Sequence, residues 1–462
     1  MRQIPQLFMK ANKKKKKNIL SVRLIAIGFL GIILIGALIL MLPISSVTGE
    51  VTNFFDALFT ATTSVCVTGL VTVTTATHWS LFGKIVILCL IQIGGLGVVT
   101  VMMVFFIVIG RRITMKERIL IQEAYNLDTI QGMVKFIHKI LRITVIVEGC
   151  GAIGYLFVFI PRYGLIKGIF YSIFHSISAF CNAGIDIIGE NSLESYATHP
   201  FMNLVTICLI VFGGLGFTVI WDIYEVVKKY RKFRFEKLQF HSKIVLITTV
   251  VLISVGAVLY FILEYHNEKT IGNFNMGGKI IASLFQSVTT RTAGFAAMNQ
   301  ANLTRGSAWI TILLMFIGGS PASTAGGMKT TSAAVLVLTI RSMIKGREST
   351  EAFGRCISES SVRTALSVFA LGFTILFCGT TILCITEDAD LSLILFETAS
   401  AMGTSGLSAG LSANLSTIGK VVVIMIMYAG RIGPITVVMA VLHRRKDTHS
   451  IIELPEGKVI IG

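Results

Sequence analysis

Eight long apolar runs constrain what this chain can fold into more than any other feature of its sequence. A helix needs about 20 residues to cross the roughly 30 Å hydrocarbon core of a bilayer, and each run approaches or exceeds that length. The mean hydropathy of +0.78 is outside the range of soluble domains. We therefore predict an all-α polytopic membrane protein with eight transmembrane helices, in the runs Leu24–Pro43, Ile85–Gly110, Ile143–Ile160, Phe201–Trp221, Ile244–Leu263, Ser307–Ile340, Thr364–Ile385 and Val421–Leu442.

The net charge of +17 does not indicate nucleic-acid binding, because the basic residues occupy alternate loops and both termini. The positive-inside rule predicts that these segments are cytosolic and that the chain is a multi-pass plasma-membrane protein with both ends inside. The opposite loops are neutral or acidic, and their carboxylates are either simply solvated or enrich cations at the outer face. The basic clusters are Lys13–Lys17, Arg111–Lys139, Lys228–Lys243, Arg341–Arg363 and Arg444–Lys446, and the outer carboxylates include Asp186, Glu190, Glu194, Glu387, Asp388 and Asp390.

Two further features fit a membrane protein without a leader or a disulfide framework. No small-residue cleavage site follows Pro43, so we expect the first apolar run to be an uncleaved helix. The cysteines, such as Cys89, Cys208 and Cys378, have no paired spacing, and we interpret them as small core residues.

Four short semi-polar segments follow the first, third, fifth and seventh runs, and each is too short to cross a bilayer. They read FTATTSVCVTGL, FHSISAFCNAGI, LFQSVTTRTAGF and FETASAMGTSGL, and their shared glycines are Gly69, Gly184, Gly294 and Gly406. A second glycine set follows 24 to 29 residues later in the sequences IGGLG, FGGLG, IGGSP and AGRIG. Two marks in the same register predict four helix–pore-loop–helix repeats around one central pore.

The repeats and the basic loops divide the chain into six segments. These are a basic cytosolic N-terminus (1–19), repeat 1 (20–110), a cytosolic loop with repeat 2 (111–226), a cytosolic loop with repeat 3 and its broken second helix (227–341), a cytosolic loop with repeat 4 (342–444), and a cytosolic C-terminal tail (445–462).

The loop glycines predict an ion-selectivity filter. Irregular backbone at membrane depth persists only where it is buried in protein or lines water, and an ion path needs several oxygens to replace the hydration shell. Glycine accepts positive φ, and the preceding side chains differ between quarters, so we expect backbone carbonyls as ligands and half-helix dipoles that favour a cation. The alternative is tight turns or helix packing, and packing is favoured for the later glycine pairs except in the third repeat. The predicted filter residues are Val67, Thr68, Gly69, Asn182, Ala183, Gly184, Thr292, Ala293, Gly294, Thr404, Ser405 and Gly406.

Apparent enzyme and metal motifs lack the structural context that their chemistry needs. Gly406–Gly410 fits a G-x-S-x-G elbow without a strand or a triad, and the run 318–331 departs from a Walker A loop because Met328 separates the last glycine from Lys329. His175 fits a polar core residue better than a metal ligand. We expect no enzymatic activity, no catalytic residues and no cofactor bound by this chain.

With these motifs, the chain resembles the Trk/Ktr/HKT superfamily of potassium transporters, and most closely its KtrB-type membrane subunits. The resemblance covers residues from about 20 to 462. It implies eight helices in four units, a homodimer with one pore per subunit, and a cytosolic nucleotide-binding partner ring of the RCK (KtrA-like) type. Glycine at all four filter positions implies potassium as the transported ion, bound at the filter only. The tail Pro455–Gly462 is similar to family tails that lie at the dimer interface.

The third repeat predicts a gate below the filter. Phe316–Thr331 carries four glycines, a proline and five hydroxyl residues, so the span should break around an irregular segment beside the cavity. Arg431 would face the same cavity, repel the transported cation and hold loop carbonyls or hydroxyls, as the resemblance also implies. The alternative is a kink with Arg431 neutralised by Glu148. The predicted gate residues are Gly318, Gly319, Ser320, Pro321, Ser323, Thr324, Gly326, Gly327, Lys329 and Arg431.

Two other functional classes remain open at this stage. One is a broken-helix sodium-coupled symporter, whose usual sign is inverted repeats, whereas these repeats run in the same direction. The other is a membrane scaffold that transports nothing, in which four glycine loops at membrane depth would have no purpose. The sequence leaves open whether transport depends on sodium, and Glu148 is expected to have a structural partner within the bundle.

Overall fold

The computed structural model describes residues 23–111, 113–124, 132–189, 191–433 and 436. The predicted N-terminal segment 1–19 and the tail 445–462 lie outside the described residues, as does most of the chain after residue 433. Within the described ranges the structure is almost entirely helical. The helices are α1 (Arg23–Leu40), α2 (Phe54–Cys66), α3 (Thr75–His78), α4 (Leu81–Leu96), α5 (Val98–Val108), α6 (Met115–Ala124), α7 (Met133–Tyr163), α8 (Leu165–Phe180), α9 (Pro200–Leu215), α10 (Phe217–Tyr230), α11 (Phe240–Glu264), α12 (Met276–Thr289), α13 (Arg305–Phe316), α14 (Thr330–Ile344), α15 (Glu359–Thr386), α16 (Leu391–Gly403) and α17 (Thr417–Ile432).

Among the described residues, four helices are long and apolar enough to cross a membrane unbroken: α1, α7, α11 and α15. They are the first helices of the four predicted repeats. In each repeat a short helix follows (α2, α8, α12 or α16), and then a second span begins. The predicted mostly helical fold is therefore confirmed, with helix–short helix–helix order recurring four times.

The second spans are bent in more repeats than we predicted. The sequence placed a break only in repeat 3, but α4 and α5, and likewise α9 and α10, meet at 99°. The bends lie at Gly97 and Gly216, the last glycines of IGGLG and FGGLG, with φ/ψ of 81°/139° and 94°/138°. Gly433 ends α17 with 96°/137°. This conformation is readily open only to glycine, so the final glycine of the motif sets the bend.

Repeat 3 carries Pro321 at the register position of those bend glycines, and here the interruption is longest. Helix α13 ends at Phe316 and α14 begins at Thr330. Between them, Ile317 and Met328 form an isolated parallel bridge, and the Gly318 amide donates to the Met328 carbonyl at 2.8 Å. The predicted break of this span is thus present as a folded loop with paired ends.

Repeats 2 and 3 each contain an equivalent contact between their first and second spans. The Tyr155 hydroxyl in α7 bonds that of Thr206 in α9 at 2.8 Å, and Tyr260 in α11 bonds Thr311 in α13 at 2.7 Å. Both pairs are separated by 51 residues and join the first helix of a repeat to the second. Buried hydroxyl pairs of this kind fix one helix against another, because an unpaired polar group in an apolar interior is costly.

The cysteine interpretation was wrong for most positions. Cys66 and Cys181 are buried beside the pore segments, but Cys89, Cys208 and Cys378 are exposed on the outer surface of the bundle. In a bilayer that surface faces hydrocarbon, so an apolar residue there is stable without being in the core. A small antiparallel hairpin of β1 (Glu351–Ala352) and β2 (Arg355–Cys356) follows α14.

Candidate ion pathway and gate

The four short helices end immediately before the predicted filter segments. Each segment begins with a residue forced into positive φ, and the glycine two positions later also has positive φ. Left-handed backbone at β-branched or amide residues costs about 1–3 kcal/mol each and persists where the surroundings over-determine it. The φ values are 54° at Val67, 59° at Asn182, 66° at Thr292 and 50° at Thr404, and 101°, 62°, 81° and 83° at Gly69, Gly184, Gly294 and Gly406.

The filter glycines meet one another around a common axis. A Cβ built on Gly69 would lie 2.6 Å from the Ala183 carbonyl oxygen, and one on Gly184 would lie 2.3 Å from that of Ala293. A Cβ on Gly294 would lie 2.8 Å from the Ser405 oxygen, and one on Gly406 would lie 2.1 Å from that of Thr68. Each repeat therefore contacts the next, and the fourth contacts the first. The remaining predicted filter residues are almost completely buried in this ring.

Hydroxyl groups of the short helices hold the filter backbone. Thr63 Oγ1 accepts a bond from the Gly69 amide at 2.9 Å, and Ser178 Oγ donates to the Ile185 carbonyl at 2.6 Å. Thr289 donates to the Phe295 carbonyl at 2.6 Å, and Ser405 Oγ donates to the Thr290 carbonyl at 3.1 Å, which joins repeats 3 and 4. These bonds use side chains to fix the backbone of the predicted filter segments.

The glycine pairs of the second spans allow those spans to touch the short helices. A Cβ on Gly94 would lie 2.1 Å from the Val65 carbonyl oxygen, one on Gly213 2.0 Å from that of Phe180, and one on Gly430 2.3 Å from that of Met402. Each contacted carbonyl belongs to the residue four positions before a filter glycine. This is the close packing that we predicted for these glycines. In repeat 3, Gly318 instead packs against the carbonyl of Gly326, within the interrupting loop.

A cavity of about 330 Å³ opens beside Gly69, Gly184, Gly294 and Gly406. Asp186 and Glu194, two of the predicted outer carboxylates, lie on its wall. Burial raises the pKa of Asp186 to about 6, although Ser192 and the backbone amides of Ile188 and Gly189 donate to its carboxylate. Burial also raises the pKa of Glu194. Negative charge on Asp186 therefore attracts cations at neutral pH and decreases as the pH falls through about 6.

The interrupting loop of repeat 3 lies against the bent second span of repeat 2 and against α17 of repeat 4. The Thr324 amide donates to the Gly213 carbonyl at 3.2 Å, and the Ser320 amide donates to that of Gly214 at 3.0 Å. The Gly327 amide donates to the Gly430 carbonyl at 3.2 Å. Thr324 Oγ1 also donates to the Phe180 carbonyl at 2.9 Å, at the end of the second short helix. The loop is thus held directly below the filter.

Other predicted gate residues close the loop on itself or support its neighbours. Ser323 Oγ donates to the Ser320 carbonyl at 2.6 Å, and Lys329 Nζ donates to that of Ala325 at 2.8 Å. A Cβ on Gly319 would lie 2.3 Å from that of Ala325, and one on Gly326 would lie 2.2 Å from Thr404 Oγ1 in the fourth filter segment. The Pro321 carbonyl lies 2.5 Å from a Cβ built on Gly216.

Arg431 joins three repeats below the filter. Its Nη1 donates to the Thr324 carbonyl in the loop of repeat 3, and its Nη2 donates to the carbonyls of Gly94 and Gly95 in repeat 1. Of the loop carbonyls and hydroxyls predicted as its partners, Arg431 bonds the carbonyl of Thr324. A guanidinium reaching from repeat 4 to repeats 3 and 1 places its positive charge at the inner end of the four-fold ring.

The partner of Glu148 was not predictable from the sequence. Gln92 Nε2 in α4 donates to both carboxylate oxygens, at 3.1 and 3.3 Å, and Ser176 Oγ donates to the Glu148 carbonyl at 2.6 Å. Glu148 therefore ties repeats 1 and 2 together behind the filter. His175 is fully buried among aromatic rings, with Nδ1 bonded to the Tyr171 carbonyl at 2.8 Å, as expected for a polar core residue.

Two charged residues near the filter had escaped attention. Glu397 is fully buried in α16 and accepts bonds from Ser408 and Ser412, so it braces the chain that follows the fourth filter segment. The uncharged Gln286 in α12 similarly donates from Nε2 to Gln300 Oε1 at 2.6 Å and so braces the chain that follows the third filter segment. Arg291 is nearly buried in the third pore segment and points Nη1 at the Thr249 carbonyl. The charged letters in LFQSVTTRTAGF and FETASAMGTSGL could have drawn attention to Arg291 and Glu397 from the sequence. No group of histidine, cysteine or carboxylate side chains in the described ranges is arranged to hold a metal ion.

Comparison with known proteins places this architecture. The TrkH cation transport protein family matches residues 19–449. The chain belongs to the TrkH family of cation transport proteins. It is 39% identical to the potassium/sodium uptake protein NtpJ of Enterococcus hirae, over 97% of this chain and 99% of that one. It is 41% identical to the Ktr system potassium uptake protein B of Bacillus subtilis, over 95% and 96%.

The fold also matches a solved member of the TrkH family. The crystal structure of the potassium transporter TrkH from Vibrio parahaemolyticus superimposes with a TM-score of 0.72, covering 90% of this chain and 84% of that one. The sequence identity is 16%, so this likeness shows the shared fold. The family assignment confirms the resemblance drawn from the four glycine motifs, and the family's members are transporters rather than enzymes.

Proposed function

We propose that this chain takes up potassium across the bacterial plasma membrane as the membrane subunit of a Ktr-type system. The observation that carries the proposal is the closed ring of Gly69, Gly184, Gly294 and Gly406, in which every repeat contributes backbone to one axis. Carbonyl rings of this kind replace the hydration shell of a permeating cation. A single ring shared by four repeats supports a pore over a symporter with two alternately opened sides.

Potassium is the proposed ion because all four ring positions are glycine and because the named relatives transport it. The ends of α2, α8, α12 and α16 direct the negative ends of four helix dipoles toward the filter, which favours cations in general. Backbone carbonyls then supply the ligands, since the side chains of the filter segments differ between repeats. The name of the Enterococcus relative includes sodium, so sodium dependence is tested in the same assay.

The loop of repeat 3 and Arg431 are proposed as the gate. The loop lies across the inner end of the filter axis, and a positive charge fixed there repels a cation leaving the filter. Five backbone or hydroxyl bonds, including one at 2.8 Å from the Phe217 amide to the Ala322 carbonyl, and one charge-assisted contact from Arg431 hold the loop in this position. Moving it requires only those few bonds to break, which suits an element with two arrangements.

The regulatory partner is proposed to be a separate cytosolic ring of the RCK (KtrA-like) type, and the subunit is proposed to form homodimers. Two relatives are named as proteins of a Ktr system, B and D, which supports a multi-component assembly. The basic loops are proposed to lie in the cytosol with both termini. Membrane lipid surrounds the exposed apolar faces of α7, α11 and α15.

The experiment that tests this proposal is rubidium and sodium uptake into proteoliposomes, with and without a sodium gradient. The wild-type chain should prefer potassium and rubidium over sodium. A Gly69→Ser variant should lose much of that preference, because φ of 101° strains a side chain and its Cβ would press on the Ala183 carbonyl. Unchanged selectivity in this variant would remove Gly69 from the filter, and an absence of uptake by the wild-type chain would refute the transport function.

A further inference from the structure

A cavity of about 630 Å³ lies between α11 and α14, away from the ion pathway. Its floor is apolar and is formed by Ile247 and Val251 of α11 and by Val337 and Leu338 of α14. Val251 and Val337 are 51% and 65% exposed, so the floor opens sideways toward the surface that faces lipid. An apolar opening of this kind is suited to a hydrocarbon chain rather than to water.

The mouth of the cavity is basic. Arg341, Lys345 and Arg347 line it, together with the single acid Glu351, which Arg347 binds at 2.7 Å. Arg341 and Lys345 make no side-chain hydrogen bond or ion pair with the described residues. Two cations without an acidic partner among the described residues therefore remain near the end of α14, where the apolar floor meets the polar mouth.

Ser342 lies on the cavity wall between these two regions. Ser342 is 6% exposed and lines the cavity, and its side chain bonds no described residue. The β1–β2 hairpin closes one side of the mouth, since Phe353 at its turn reaches the rings of Phe235 and Phe240. A ligand that fits must therefore offer a hydrogen-bond acceptor with negative charge above and an apolar chain below.

We propose that this cavity is a binding site for an anionic phospholipid of the surrounding leaflet, with its phosphate at Arg341, Lys345 and Ser342 and an acyl chain between α11 and α14. The charge at the mouth selects an anionic over a zwitterionic headgroup. The apolar floor selects a lipid over a free phosphate. The cavity also touches Ile317, the residue at which the repeat 3 loop begins, so an occupied site contacts one anchor of that loop.

The test is native mass spectrometry of the full chain, extracted from phosphatidylcholine nanodiscs that contain a small fraction of phosphatidylglycerol. The wild-type chain should retain phosphatidylglycerol preferentially. Arg341→Gln with Lys345→Gln should weaken that retention roughly 25-fold, at about fivefold for each charge near a membrane surface. The matched control is Lys228→Gln with Lys229→Gln, which removes the same charge from the exposed end of α10 and should keep the lipid.

A second variant separates the lipid chain from its headgroup. Val337→Trp fills the apolar floor and leaves the basic mouth intact, so it too should lose phosphatidylglycerol. Equal loss in the α10 control would show diffuse surface attraction and overturn the proposal, as would undiminished retention in the double variant. Displacement of the lipid by inorganic phosphate would identify a free-anion site instead. Dissociation of a dimer by the double variant without lipid loss would identify an interface between copies. Lipid binding is measured without transport, so this result does not depend on the proposed function.

Discussion

Replacing Arg431 tests the proposed gate most directly, because a charge-assisted bond from its guanidinium to the Thr324 carbonyl joins repeat 4 to the loop. A hydrogen bond to a charged group contributes about 1.5–3 kcal/mol net, whereas the neutral bonds from Thr324, Ser320 and Gly327 contribute about 0.5–1.5 kcal/mol each. Removing the guanidinium should therefore weaken the closed loop by about 2 kcal/mol while leaving its other anchors in place. That corresponds to a roughly 30-fold shift toward the open arrangement.

The assay is the initial rate of rubidium uptake into proteoliposomes at matched protein content. Arg431→Gln should raise the rate roughly tenfold or more, since both the bond and the repelling charge are lost. Arg431→Lys keeps the charge but cannot bond repeats 1 and 3 together, so its rate should lie between those of the glutamine variant and the wild type. The control is Arg363→Gln, a 76% exposed arginine paired only with Glu359 on α15, which should not change the rate.

Thermal unfolding of each variant is measured first, so that a lower rate is not mistaken for a misfolded pore. If Arg431→Gln folds normally and its rate equals that of the wild type, with and without the cytosolic partner, the loop is not held shut by this residue. The structure would then leave only a kinked span in repeat 3. If the lysine and glutamine variants are equally fast, the bond decides the gating and the repulsion contributes little.

Three further predictions follow from other parts of the pathway. Gly213→Ala should reduce selectivity and lower the free energy of unfolding by about 1–3 kcal/mol, because a Cβ there would lie 2.0 Å from the Phe180 carbonyl oxygen and must push the second short helix away. The control is Gly149→Ala on α7, where a Cβ would meet open space, and this variant should be neutral or slightly stabilising. Uptake should fall as external pH drops through about 6, because protonation removes the Asp186 charge from the outer mouth, and Asp186→Asn should be slower at neutral pH and lose that transition. Purification from native membranes should recover a separate soluble regulatory protein, since the longest basic segment, from Arg111 to Lys139, is too short to fold as a regulatory domain and its end already belongs to α7.

Each of these has a clear contrary outcome. Equal effects of Gly213→Ala and Gly149→Ala would mean that close approach at the glycine pair is unimportant. A pH profile that persists in Asp186→Asn would assign the titration to another group, with Glu194 on the same wall as the next to test. Full regulated uptake by the chain reconstituted alone would contradict a separate regulatory subunit.

The repeats, their glycine marks and the family were accessible from sequence because they depend on local backbone chemistry. Only glycine tolerates both a positive φ and a carbonyl oxygen about 2 Å from the place of its missing Cβ. The filter positions are therefore recognisable in the sequence as glycines that recur at a fixed spacing. The break in repeat 3 was also predictable from local residues, because Pro321 and the neighbouring glycines disfavour a continuous helix. The bends at Gly97 and Gly216 were equally visible in GGLG and were missed because the surrounding run is uniformly apolar.

Tertiary structure alone decided which apolar residues face protein and which face lipid. Residues of a membrane helix are apolar whether they face protein or lipid. The sequence alone therefore could not distinguish the exposed Cys89 and Cys208 from the buried Cys66. Tertiary structure also decided which polar groups bond each other. Glu148 bonds Gln92, which is 56 residues away in the chain. Arg431 bonds Thr324 and Gly94, which are 107 and 337 residues away. Such pairings arise from the closure of four repeats around one axis. No local pattern encodes that closure, because it depends on how all four repeats pack at once.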